Sequence, residues 1–188
     1  MKKNLWIWIG IPIAIILLGV FWYIGTYNSL IKMNEEANNK WAQVETQYQR
    51  RVDLIPNLVS TVKGAAGFEQ ATLTEITKLR SQWQTAPDAN KRIETANQIE
   101  NALSRLLLVA ENYPQLTATQ NFRSLQDELA NTENKVAVER GRYNEAVRNF
   151  NARIKTFPSS IVAGNLGYTD KTYFEAKQGA ENAPEVKF

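Results

Sequence analysis

Seven carboxylates stand where chemistry is conceivable: Asp53, Glu69, Glu75, Asp127, Glu128, Glu133 and Glu139. Paired carboxylates can do general acid–base work or hold two metal ions. A di-metal carboxylate bundle calls for Glu-x-x-His pairs, and the 188-residue chain contains no histidine and no cysteine. The same composition removes thiolate nucleophiles, the common zinc sets and disulfides. The run "VKGAAG" lacks the spacing of a phosphate loop, and no G-x-S-x-G occurs. Carboxylates on helices are usually solvated or paired with Arg or Lys one turn away, and these are read that way. The expectation is a protein that is not an enzyme and holds no cofactor and no metal. One polar arrangement remains. Glu133 and Asn134, close to Arg140 and Arg142, can form a buried seam with Arg50, Arg51 and Asp53 if the two segments are antiparallel helices.

Charge points away from nucleic acid. The formal net charge is +3, but Lys2 and Lys3 precede an apolar segment, and the remainder holds 20 Lys and Arg against 19 Asp and Glu. A net of about one positive charge is a weak basis for phosphate-backbone binding.

The apolar segment is "LWIWIGIPIAIILLGVFWYIG", Leu5 to Gly25, 21 residues without a charge. As a helix it spans about 31 Å, matching a hydrocarbon core. Trp6 and Trp8 lie near one end and Trp22 and Tyr23 near the other, where amphipathic rings settle at the interfaces. Pro12 falls in the first turns, where a membrane helix tolerates it. A cleaved signal peptide would have a shorter apolar region and a small-residue cleavage site, and "FWYIGTYNS" offers no A-x-A pattern. An uncleaved span is the expectation. Lys2 and Lys3 flank it closely, whereas Lys32 and Lys40 stand farther off on the other side. The positive-inside rule then puts the N-terminus in the cytoplasm and Thr26 to Phe188 outside it.

The rest reads as amphipathic helices with no competing strand signal. Ala37, Trp41, Val44, Tyr48, Val52, Ile55, Val59, Val62 and Ala66 recur every three or four residues, one helical face that keeps its phase across Pro56. Either a single helix, Tyr27 to Lys63, kinks near Val52, or a second helix restarts with Asp53 as N-cap and Pro56 in its first turn. The continuous phase favours the kinked helix, ended by the glycines of "GAAG". A second helix fits Phe68 to Gln84 through Leu73, Ile76, Leu79 and Trp83. Asp88 caps a third, striped by Ala96, Ile99, Leu103, Leu106, Ala110 and Tyr113, and stopped by Pro114. A fourth, Thr117 to Lys155, carries Phe122, Leu129, Val136, Tyr143, Phe150 and Phe157 at seven-residue intervals, with Leu125, Val147 and Ile154 beside them. Its middle is more polar at Thr132 and Glu139.

The fold class is therefore all-α: a short flank (1–4), a transmembrane helix (5–25), an elongated antiparallel bundle of about four helices, two long and two shorter, with coiled-coil-like spacing (26–157), and a Gly- and aromatic-rich tail (158–188). Short connections make neighbours antiparallel, so the fourth helix returns toward the membrane. The tail should start there. Phe157, Pro158, Ile161, Val162, Leu166, Tyr168, Tyr173 and Phe174 make it too apolar for disorder, and it should pack on the bundle, a neighbouring subunit or lipid headgroups.

Two stretches carry a resemblance. "YNSLIKMNEEANNKWAQVETQYQRRVDLIPNLVSTVKGAAGFEQATL" has Tyr27-Asn28, Trp41, Arg50-Arg51, Asp53 to Val59, Val62-Lys63-Gly64 and Glu69. "TENKVAVERGRYNEAVRNFNARIKTFPSSIVAGNLGY" has Thr132-Glu133-Asn134, Arg140, Tyr143-Asn144, Val147, Phe150-Asn151, Phe157-Pro158 and Gly167-Tyr168, and Tyr173-Phe174 follows. Together they resemble the signatures of the LemA family of bacterial membrane proteins, over nearly the whole chain. The family often has Tyr where Ala65 stands and His where Phe68 stands, so no functional histidine at that turn carries over. The resemblance implies a single-pass protein of the bacterial plasma membrane with a helical bundle and no agreed biochemical activity. Relatives tied to magnetosome membrane formation tilt the expectation toward membrane organisation.

Two functions follow. The first is a self-associating scaffold, a homo-oligomer that organises or shapes the lipid bilayer. The alternative is a monomeric adaptor whose bundle groove, lined by Arg50, Asp53, Glu133 and Arg140, holds a membrane or envelope protein in signalling or stress response.

Overall fold

The computed structural model describes the backbone of residues 3–63 and 70–174, with side chains from Gly10 onward in those ranges. Seven helices are present among the described residues: α1 Lys3–Asp53, α2 Ile55–Lys63, α3 Gln70–Thr85, α4 Ala89–Ala110, α5 Pro114–Thr117, α6 Gln120–Lys155 and α7 Ser159–Asn165. The described residues include no strand. The fold is a long N-terminal apolar helix followed by a helical bundle, as the periodicity predicts.

Pro56 interrupts the first long helix rather than kinking it. Its ring crowds the carbonyl of Val52 and it has no N–H to offer that oxygen. α1 accordingly closes at Asp53, Leu54 forms a one-residue turn donating to the Arg51 carbonyl at 3.2 Å, and α2 begins at Ile55 with Leu58 donating to Leu54 at 3.0 Å. Pro56 thus sits in the first turn of a new helix, the alternative left open by the sequence. Asp53 does not take the capping role: it is exposed, and its Oδ1 accepts from Gln49 Nε2 at 2.8 Å. The apolar face keeps its phase, with Val52, Ile55, Leu58 and Val62 buried. Leu58 takes the place expected for Val59, which is half-buried. The "GAAG" terminator, Ala66, Phe68 and Glu69 lie outside the described residues.

Asp88 caps α4 as expected, its carboxylate accepting from the Lys91 backbone N–H at 2.8 Å. Pro114 does more than stop that helix. With its φ already set, it opens the four-residue α5, and Tyr113 becomes the residue before α5 instead of the end of the α4 stripe. α6 starts at Gln120, three residues later than Thr117. The tail holds one short helix among the described residues, α7.

Two compact units divide the chain: Met1–Lys40 with Tyr143–Thr172, and Trp41–Arg142 with Tyr173–Phe188. In the first, Leu30 packs with Phe150, Ile154, Val162 and Ala163, flanked by Met33, Leu166 and Tyr168. The ring of Tyr168 meets Phe150 edge-on at 5.3 Å. Before that cluster α1 is apolar and open: Ile11, Ile15, Leu18 and Phe21 are all at least half exposed. It is the one helix among the described residues long and apolar enough to cross a membrane. Pro12 lies inside it, Trp22 and Gly25 are exposed on it, and the side chains of Leu5, Trp6 and Trp8 lie outside the described residues. In the second unit α3 packs along α4 and against α2. Glu75 pairs with Arg105 at 2.9 Å and Trp83 meets Arg92 at 5.7 Å, so partner numbers fall as the chain rises and α3 and α4 are antiparallel.

Candidate functional site

The charged centre of the second unit is built around Glu100, which the sequence reading did not select. Ala96, Ile99 and Leu103 place α4's buried stripe inward, and Glu100 falls on that face, four residues after Ala96 and three before Leu103. It is 4% exposed. A carboxylate there must be paired. Tyr48 on α1 donates its hydroxyl to Glu100 Oε1 at 2.8 Å, and Arg140 Nη1 on α6 reaches Oε2 at 3.2 Å. Arg140 Nη2 also donates to Asn97 Oδ1 at 2.7 Å. Burial, with the Glu100 carboxylate beside it, pushes the Tyr48 hydroxyl well above its ordinary ionisation range.

Phe174 closes this centre. Its ring stacks on Trp41 at 5.8 Å and on Tyr48 at 6.2 Å, and the Arg140 guanidinium lies 4.7 Å from its centroid. The same guanidinium is 5.4 Å from the Tyr48 ring. Arg140 is therefore held by a carboxylate at one end and by two aromatic faces, which suits the flat, weakly hydrated guanidinium.

The predicted seam assembles in part. Arg51 is buried, and its Nη2 lies 3.5 Å from Glu133 Oε2. Its Nε and Nη1 have no hydrogen-bond partner among the described residues. Arg50 is exposed and pairs with Glu128 instead. Asp53 and Asn134 are exposed, and Arg140 belongs to Glu100. Thr132 is fully buried and donates its hydroxyl to the Leu129 carbonyl at 2.9 Å, so the polar middle of α6 is satisfied internally. Arg142 pairs with Glu139, 2.6 Å away on its own helix.

The tail residues separate into two kinds. Val162 and Phe174 are buried, Pro158, Leu166 and Tyr168 are half-buried, and Phe157, Ile161 and Tyr173 are exposed. Phe157, which the seven-residue pattern placed in the core, is 77% exposed because α6 ends at Lys155 and the chain turns before it. In the first unit Asn151 clamps the extended segment after α7: its Oδ1 accepts from the Lys171 N–H and its Nδ2 donates to the Lys171 carbonyl, both at 2.9 Å. Tyr143 donates its hydroxyl to the Thr172 carbonyl at 3.0 Å. The Lys171 ammonium reaches Asn38 at 2.9 Å, and burial lowers its ionisation range while Glu35 opposes that shift. A side chain that satisfies both backbone groups of one residue substitutes for a strand partner.

This centre pairs charges inside a core and presents no nucleophile–base dyad. A separate cleft of about 520 Å³ lies between α2 and α3, lined by Val59, Lys63, Leu73, Thr74, Thr77 and Lys78 among others.

A family model described as the LemA family matches residues 40–188, which takes in Tyr48, Glu100, Arg140 and Phe174. The chain belongs to the LemA family. Among curated relatives, "Protein LemA" of Metamycoplasma hominis is 26% identical over 167 residues, covering 87% of this chain and 76% of that protein. "Magnetosome protein MamQ 2" of Paramagnetospirillum magneticum is 24% identical over 198 residues, covering 89% of this chain and 73% of that protein. "Magnetosome protein MamQ" of Magnetospirillum gryphiswaldense is 23% identical over 206 residues, covering 92% and 75%. The LemA match thus spans the whole of the second unit and, in the first, Lys40 and Tyr143–Thr172, which contain α7.

Proposed function

We propose that this LemA-family chain is a non-enzymatic, single-pass membrane protein whose bundle self-associates as a scaffold that organises or shapes the bilayer. One observation carries the reading: a helix of 51 residues is apolar and open from Ile11 to Ile24 and becomes a bundle helix beyond. Exposed Ile, Leu and Phe over that length need a lipid surround. Because no loop separates the anchor from the bundle, membrane and bundle are coupled through continuous helix. The magnetosome relatives support a role at a membrane by analogy. The site is the plasma membrane, with the N-terminus cytoplasmic and the bundle outside, because Lys2 and Lys3 flank the span closely.

The test is the mass of the full-length protein in mild detergent, by mass photometry. A discrete assembly larger than one chain is expected. A monomer at all concentrations sinks the scaffold and leaves the adaptor reading, for which the cleft between α2 and α3 offers a place to hold a partner. Removing the chain from Phe157 onward is a poor test, since it also strips Val162, Ala163 and Phe174 from the core. The adaptor's proposed polar lining is likewise ambiguous at Arg51 and Arg140, where charge reversal reads out folding.

A further inference from the structure

The corner between α6 and α7 exposes two large apolar side chains beside the root of the apolar helix. Phe157 is 77% exposed, the highest value among the large apolar side chains described, and Ile161 is 56% exposed. Their neighbours turn the other way: Ile154, Val162 and Ala163 are buried with Leu30. A single exposed Leu or Phe needs no explanation, but two on one short corner, with the intervening residues packed, define a face.

The height of that corner follows from helix geometry. Leu30 lies five residues beyond Gly25, about 7.5 Å along α1. The polar layer of a bilayer is about 5–7 Å deep on each side. Thr26, the first residue after the apolar run, is 4% exposed, so packed protein reaches down to its level. α6 is antiparallel to α1, as Tyr48 facing Arg140 and Arg51 facing Glu133 require. α6 continues in that direction to Lys155, one residue past Ile154, and Phe157 stands on the turn that follows, at the end of α6 nearest the apolar run. Arg153 in the last turn of α6 supplies positive charge at the same edge, where Lys155 is paired with Asp170.

We propose that the α6–α7 corner is a second membrane contact, with Phe157 and Ile161 entering the interfacial layer of the bilayer that α1 crosses. The proposal rests on the reading of α1 as a membrane span. A helix alone leaves the bundle free to tilt and rotate about it. A second apolar contact fixes one side of the first unit against lipid.

The chain has no cysteine, so single labels can be placed without background. Full-length Phe157→Cys, Ile161→Cys, Leu17→Cys and Glu36→Cys are each spin-labelled and reconstituted in phosphatidylcholine–phosphatidylglycerol vesicles. Accessibility to oxygen is then compared with accessibility to a water-soluble nickel chelate. The expected result is oxygen-favoured access at positions 17, 157 and 161, shallower at the last two, and chelate-favoured access at 36. Chelate-favoured access at 157 and 161 with position 17 still deep overturns the corner and leaves the span intact. Shielding of 157 and 161 from both agents also overturns it, because protein then covers them. Chelate-favoured access at position 17 sinks the span reading and the corner with it.

Discussion

Glu100 shows what a single buried carboxylate demands. It is 4% exposed and its two oxygens are divided between Tyr48 and Arg140. Removing one member of a buried pair leaves the other charge uncompensated, at about 3–5 kcal/mol. Glu100→Ala should therefore lose about that much stability in chemical denaturation, and Glu100→Gln less, since its amide oxygen still accepts from Tyr48. A loss under about 1 kcal/mol for Glu100→Ala would mean that water reaches the pair. Tyr48 makes a pH prediction. Burial and Glu100 raise its ionisation above the ordinary value near 10.0. A raised value means that the unfolded chain releases the proton first. Its contribution is complete below the ordinary value and is lost as pH rises toward the folded one. Stability should fall above about pH 10, and Tyr48→Phe should flatten that alkaline limb by about one proton. Thermal melts between about pH 8 and 11 read it directly; an unchanged slope assigns the limb to other groups.

At the scale of elements, the segment after α7 has no secondary structure through Phe174, yet it is fixed. Asn151 holds the backbone of Lys171, Tyr143 holds Thr172, and Phe174 lies on Trp41 and Tyr48. An extended segment buries little and depends on such side-chain clamps. Asn151→Ala removes two hydrogen bonds of 2.9 Å, worth about 1 kcal/mol each. The expected outcome is several-fold faster tryptic cleavage after Lys171, with the helical circular dichroism unchanged. Cleavage at the wild-type rate would show that Phe174 alone secures the segment.

At the scale of the whole molecule, the question is which side of the membrane the bundle occupies. Ser104 is exposed on α4. With the proposed topology, Ser104→Cys in the cysteine-free chain should be labelled by a membrane-impermeant maleimide in intact spheroplasts. Labelling only after lysis would reverse the topology and place the bundle inside the cell.

Much of this was legible in the residues. Helical periodicity is a local property, so the stripes of α3, α4 and α6, the Asp88 cap and the apolar run could be read directly, and signature residues such as Trp41, Arg140 and Phe174 pointed to the family. Local rules named the two outcomes for Pro56 and favoured the kink, whereas the helix restarts at Ile55, because phase survives a one-residue turn as well as a kink. The charged centre was less accessible. Arg51 and Arg140 were singled out, but their partners sit on other helices, and only packing decides that Arg140 takes Glu100 and Arg50 takes Glu128. Glu100 left one local trace, its place within an apolar stripe. Phe157 left a misleading one, since a seven-residue interval continues on paper after the helix has ended. Sequence determines which face of each helix must be covered, because burial of that face is a short-range pattern. Tertiary structure decides what covers it, because partners far apart in the chain meet only when the helices pack.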